Sequence, residues 1–114
     1  MIPNFIVKKL IINFSKFSFL LIIFLSIFNQ VRSDEMYNKG KTIFLEQGNC
    51  AACHTLLDAG SDGNIGPNLN EIRPDLMRVI VAVTNGIGVM PAYQGELSTE
   101  EIEAVAHYVS VSAE

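Results

Sequence analysis

The chain has no tryptophan and only two cysteines in 114 residues, and each shortage excludes something. Two cysteines cannot make a multi-disulfide scaffold. The first 33 residues contain no Asp, no Glu and no Gly, which sets them apart from the rest. Residues 34–114 keep just Phe44 of the seven phenylalanines, together with three tyrosines. A domain of this length buries only about 60% of its unfolded surface, so a core short of large residues is marginal. Small domains of this kind are usually completed by a staple, a metal or another non-protein group. Excess positive charge is missing too. The formal net charge is −4, and the chain lacks the basic footprint of a general nucleic-acid binder. It is also too apolar for a disordered segment, with 49% hydrophobic residues, and no repeat or low-complexity tract is visible.

What is present falls into two pieces. Residues 1–33 carry Lys8, Lys9, Lys16 and Arg32, then an apolar stretch from Phe17 to Phe28 broken only by Ser18 and Ser26. Val31 and Ser33 stand at −3 and −1 of a cut before Asp34. A basic region, a short apolar core and a small-residue cut site, in that order, predict a secretory signal peptide. The apolar core is shorter than the ~20 residues a spanning helix needs. An uncleaved N-terminal anchor is the alternative, if Leu10 to Phe28 inserts despite Asn13 and Lys16. Residues 34–114 then form one domain. All twelve acids lie there, against Lys39, Lys41, Arg73 and Arg78.

The domain reads as helices and loops. Met36, Tyr37, Gly40, Ile43 and Phe44 share one face of a helix that ends near Gln47-Gly48. Residues 55–73, with Asn, Gly and Pro67, read as an irregular loop. Pro74-Asp75 suits a helix start, and Arg73, preceding proline, is expected to be extended. That helix runs to Asn85 with Gly86 as its cap; a buried strand over Val79 to Val83 is the competing reading. The last helix opens on a capping box of Ser98 and Glu101, flanked by Leu97 and Ile102. Ile102, Val105, Ala106 and Val109 form its apolar stripe.

Both cysteines fall in Cys50-Ala51-Ala52-Cys53-His54, the spacing for covalent attachment of a c-type haem. Two thiols two residues apart can add to the two vinyl groups of one porphyrin, and the next residue places an imidazole under the iron. His54 is then the proximal ligand through Nε2, with its other nitrogen donating to a backbone carbonyl that fixes tautomer and orientation. Three readings compete. A thioredoxin-type dithiol wants a βαβ setting, and none is visible. A closed zinc site needs four ligands, and only His107 remains as an obvious one. A plain disulfide is the third. Export favours haem, since c-type haem is attached outside the cytoplasm. For the sixth ligand the candidates are Met36, Met77, Met90 and His107. His107 is expected to be solvated on the far side of the last helix, and Met77 to pack in the core. Met90 lies in the irregular run Gly86-Ile87-Gly88-Val89-Met90-Pro91, where position alone leaves ligand and gap-filler open.

Residues 34–114 resemble the class I cytochromes c in their short bacterial single-haem form. The resemblance rests on Gly40 and Phe44, then Cys50-Ala51-Ala52-Cys53-His54, then Gly66-Pro67-Asn68-Leu69, Asn85-Gly86, Met90-Pro91-Ala92-Tyr93 and Val105-Ala106-His107-Tyr108-Val109, in that order. It implies an all-α cytochrome c fold, three or more short helices wrapped around one covalent haem c. It implies thioethers at Cys50 and Cys53 and iron ligation by His54 and Met90. It further implies that the Pro67 carbonyl accepts the His54 Nδ1 proton, that Leu69 packs on the haem, and that Gly40 lets the first helix cross the last near Tyr108. Two features of some relatives are absent: a tryptophan for a haem propionate, and a lysine ring around the haem edge.

The resulting expectation is a periplasmic one-electron carrier, not an enzyme, shuttling electrons between redox partner proteins. The acidic surface favours partners with a basic docking patch. A haem c subunit of a larger dehydrogenase or oxidase is the second reading, and a haem-free thiol or metal protein the third. No nucleic acid is expected as a partner, and a membrane only if the leader stays attached.

Overall fold

The computed structural model describes residues 3–114, which divide into two units between Ser33 and Asp34. In the first unit the chain is helical from Asn4 onward, and its side chains are exposed, Phe14 to 76%. The helix is long and apolar enough to cross a membrane by length and composition, and a signal sequence near the N-terminus passes the same test. No acid and no Gly interrupts this stretch, so nothing in it favours a break. This helix, α1, has the bounds Asn4–Thr42.

Within the second unit α1 runs into one wide turn, Ile43–Gln47, closed by the Gly48 amide donating to the Ile43 carbonyl at 2.7 Å. This is the helix end expected at Gln47-Gly48. Gly40, Ile43 and Phe44 are buried as the pattern required, whereas Met36 is exposed. A tight turn at Cys50–Ala52 follows, entered through Asn49 in the left-handed region (φ 50°).

The stretch after His54 departs from the expected loop. It holds a hairpin of β1 (His54–Leu56) and β2 (Ser61–Asn64), antiparallel, with Thr55 opposite Asp62. Gly60, at φ 63°, ends the turn Leu57–Ala59 that joins them. These strands are too short for alternation to be visible in the sequence. The all-α expectation is therefore corrected: the fold is mostly helical with one small two-stranded sheet. Next comes α2 (Leu69–Ile72), capped by the Asn68 side chain accepting from the Asn70 amide. Arg73 is not extended but left-handed (φ 41°), because its amide closes α2 on the Leu69 carbonyl at 2.9 Å.

The third helix, α3 (Leu76–Asn85), excludes the strand reading for Val79 to Val83. Asp75 caps it by accepting from the Arg78 amide at 2.9 Å, and Gly86 (φ 71°) ends it. Pro74 lies just outside the helix and not in its first turn. The last helix, α4 (Thr99–Ser112), has both arms of the capping box: Ser98 N–H to Glu101 Oε2 at 2.8 Å, and Glu101 N–H to Ser98 Oγ at 3.2 Å. Leu97 and Ile102 are both buried beside it.

Around α4 the core is wider than the expected stripe, for Ala104 and Tyr108 are buried as well. They meet α1. A Cβ placed on Gly40 would sit 2.7 Å from the Ala104 carbonyl carbon and 2.7 Å from Tyr108 Cβ, so only glycine permits this crossing. Tyr108 stacks edge-on with Tyr37 and Phe44 at 5.1 and 5.7 Å between ring centroids. Its hydroxyl donates to Asp58 Oδ2 at 2.8 Å, and Lys41 Nζ reaches the same oxygen at 2.9 Å. Burial and the Asp58 contact hold the Tyr108 phenol well above its ordinary range, so it remains a donor.

Candidate haem-binding site

On another side of α4 the helices enclose a cavity of about 740 Å³. Cys50, Cys53 and His54 line it, and so do Leu69, Met90 and Tyr93. Its remaining walls are largely apolar, with Val79 and Val83 from α3 and Val105 and Val109 from α4.

The histidine wall is local in origin. The turn at Cys50–Ala52 brings the two cysteines round, and the Cys53 amide closes it on the Cys50 carbonyl at 3.1 Å. The thiols are unpaired with each other. Burial pushes the free Cys50 thiol up to about 11, with the neighbouring Cys53 adding to the rise. A thioredoxin-type dithiol wants a βαβ setting, and the cysteines are followed instead by the antiparallel β1–β2 hairpin. Nor do the described residues contain a group of three or more His, Cys, Asp or Glu that could hold a metal, which leaves the zinc reading without a ligand set.

His54 Nδ1 lies 2.9 Å from the Pro67 carbonyl oxygen. A carbonyl can only accept, so Nδ1 carries the proton and the Nε2 lone pair is free. Gly66 makes the approach possible: a Cβ there would stand 2.5 Å from His54 Cε1 and 2.8 Å from Nδ1. Its amide also donates to the Cys53 carbonyl at 2.8 Å, which pins the Gly66-Pro67 segment beside the imidazole.

The methionine wall comes from the segment after α3. Ile87 and Met90 exchange backbone hydrogen bonds at 3.1 and 2.9 Å, making a tight turn. Gly86 is again a necessity, since a Cβ there would lie 2.6 Å from the Met90 carbonyl oxygen. Met90 is half-buried and packs against the core. Of the four candidates for a sixth ligand only Met90 lines the cavity. Met77 is 63% exposed and not in the core, because α3 buries Val79 and Val83, on a different face. His107 is half-exposed and lies outside the cavity, and Met36 is exposed.

Every residue named for the site, Cys50, Cys53, His54, Pro67, Leu69 and Met90, therefore lines this one cavity. The composition of the site fits a c-type haem. Its volume lies in the range of cofactor pockets, its walls are largely apolar, and its polar lining includes two thiols and one imidazole with an available lone pair, beside Asn49, Arg78 and Tyr93. Two members were not assigned roles by sequence reasoning. One is Gly66, whose need appears only from the closeness of the imidazole. The other is Tyr93, whose hydroxyl donates to the Gly48 carbonyl at 2.6 Å. Burial raises the Tyr93 phenol above its usual value, which keeps that proton in place. Nothing in a single sequence marks either contact in advance.

Known proteins resemble the chain over the same region. Residues 35–109 match the family described as cytochrome C oxidase, cbb3-type, subunit III. A cytochrome c6 from Microcystis aeruginosa is 37% identical over 83 residues, spanning 66% of this chain and 95% of the relative. A cytochrome c6 from Pyropia yezoensis is 36% identical over 115 residues, spanning 94% of this chain and 96% of the relative. The crystal structure of the c-type cytochrome SorU from Sinorhizobium meliloti superposes with a TM-score of 0.67 at 55% identity, over 70% of this chain and 93% of that one. With the family match covering most of the domain, the chain belongs to the monohaem class I c-type cytochromes, electron-transfer proteins that carry one covalently bound haem c.

Proposed function

We propose that the protein is an exported one-electron carrier. In this reading residues 1–33 direct export to the periplasm and are removed, leaving 34–114 as the working domain. Cys50 and Cys53 hold the haem through thioethers, His54 Nε2 is the proximal ligand and Met90 sulfur the distal one. The haem iron supplies the Fe(II)/Fe(III) couple. The single observation that carries the reading is that His54, oriented by the Pro67 carbonyl, and Met90 line the same cavity.

The chain's own part is to bind, orient and exclude water. The Pro67 carbonyl keeps the proton on Nδ1 and fixes the ring so that Nε2 presents its lone pair. The Val, Leu and Phe44 side chains keep the pocket dry, and with a thioether ligand this favours the reduced state relative to bis-histidine ligation. With His54 and Met90 both holding the iron, the chain would leave no open site for a substrate, and the haem would supply outer-sphere electron transfer. Twelve acids against four cations in 34–114 favour transient encounter with a basic docking patch, at a rate that falls as salt rises.

A haem stain on a denaturing gel tests the attachment, and absence of covalent colour overturns it. Carbon monoxide tests the ligand set. Wild-type ferrous protein is expected to bind it poorly and Met90→Ala to bind it readily; equal binding removes Met90 from the iron. A second reading, a haem c subunit of a larger oxidase, is favoured by the description of the matched family. Native size separates the two. A carrier elutes as a monomer no larger than the full chain's 12.6 kDa, a subunit far above it.

A further inference from the structure

The turn that presents Met90 is tied at both ends to polypeptide and at one point to the opposite wall of the cavity. On the near side Gly86 and the Ile87–Met90 pair fix the turn to the end of α3. On the far side the Tyr93 amide donates to the Val83 carbonyl at 2.9 Å, and the Tyr93 carbonyl accepts from the Glu96 and Leu97 amides at 3.0 and 2.9 Å. Tyr93 thus has a fixed backbone three residues after Met90. Its hydroxyl then crosses to Gly48, two residues before Cys50. Among the described residues this is the only hydrogen bond joining the 86–97 segment to the 43–54 segment.

Gly48 is a firm anchor. It is buried, its amide is held by the Ile43 carbonyl at 2.7 Å, and a Cβ on it would lie 3.1 Å from Cys50 Sγ. The Tyr93 ring lines the cavity, so the link runs beside the bound group rather than around the outside of the domain. A 2.6 Å O–H···O contact is at the short end of the usual range, and breaking it strands a buried carbonyl.

We propose that Tyr93 is a positioning residue for the distal ligand: its hydroxyl latches the Met90 turn onto the Cys50–His54 wall and so limits how often the methionine leaves the iron. The inference rests on Met90 being that ligand. The latch sets the population of an open state in which an outside molecule can reach the metal. Its strength is one buried hydrogen bond, so its removal shifts that population by roughly 3- to 10-fold.

The test is imidazole binding to the ferric holoprotein at neutral pH in four proteins: wild type, Met90→Ala, Tyr93→Phe and Tyr37→Phe. Tyr93→Phe keeps the ring and removes only the hydroxyl. Tyr37→Phe is the control, since Tyr37 also loses one hydrogen bond, from Ser112 Oγ at 3.1 Å, but does not line the cavity. Tyr93→Phe is expected to raise the apparent imidazole affinity by about 3- to 10-fold and Tyr37→Phe to leave it at the wild-type value. Equal affinity in wild type and Met90→Ala removes the ligand reading itself. A Met90→Ala increase with Tyr93→Phe at the wild-type value leaves the ligand in place and overturns the latch. A matching rise in Tyr37→Phe also overturns it, because general loosening would then account for the effect.

Discussion

Along α4, Ala104 and Tyr108 meet the first helix, whereas Val105 and Val109, about 100° further round, line the cavity. The first pair faces a contact finished in polypeptide. Gly40 leaves no room for a methyl group, and Tyr108 is fully buried with its hydroxyl satisfied by Asp58. The second pair belongs to walls that surround about 740 Å³, next to a half-buried Met90 and two thiols. One helix thus serves two kinds of core. The crossing draws its stability from side chains alone, while the cavity side depends on a covalent group as a core component. In a domain with one phenylalanine and no tryptophan, that division follows from composition.

The largest test of the comparison breaks the cavity side. Replacing Cys50 and Cys53 by Ala together removes covalent haem, and stability should fall by more than ~5 kcal/mol, most of what a domain of this size has. Urea unfolding followed by far-UV circular dichroism reads this directly. A cooperative transition at the wild-type midpoint would mean that the crossing alone sustains the fold.

The next test breaks the crossing. At an exposed helical site Gly→Ala stabilises by roughly 0.5–1 kcal/mol. At Gly40 the added Cβ runs into the Ala104 carbonyl and Tyr108 Cβ, so the sign reverses. Gly40→Ala should cost about 1–3 kcal/mol, seen as a lower thermal midpoint with the visible haem spectrum unchanged. A change in that spectrum would show that the two sides of α4 are not separate.

The two sides also differed in how much the sequence disclosed. The histidine wall is five contiguous residues, so that Cys50, Cys53 and His54 stand together on one wall was legible from their spacing alone. The caps of α3 and α4 were legible for the same reason, since Asp75, Ser98 and Glu101 act within three residues of themselves. Met90 depends on tertiary placement; its position in an irregular run left it open, and the family resemblance named it. The β1–β2 hairpin was missed because three- and four-residue strands carry no usable alternation. Arg73 was misplaced because the closure of a four-residue helix outweighed the preference of a pre-proline residue. Met77 was misplaced because α3 is apolar over more of its surface than it buries.

The smallest effect concerns the polar edge of the crossing. Asp58 accepts from Lys41 Nζ and from the Tyr108 hydroxyl, and these two contacts, Lys41 first, draw its carboxyl below the ordinary 3.8. A carboxylate whose folded pKa is depressed stabilises fully above its unfolded value and loses that contribution as pH falls through the folded one. Both ends of the ion pair are 36% exposed, so solvent screens it and the whole effect is about 0.5–1 kcal/mol. Asp58→Asn keeps an oxygen for the Tyr108 hydroxyl and deletes the charge. Its urea midpoint should therefore lie slightly below wild type at pH 7, and the gap should close as pH drops below 3.8. A gap that does not narrow at all as pH falls below 3.8 would trace to the geometry of the hydrogen bonds and not to the charge. The crossing would then rest on the fit between Gly40 and α4, and its Lys41–Asp58 pair would serve only to satisfy a buried tyrosine.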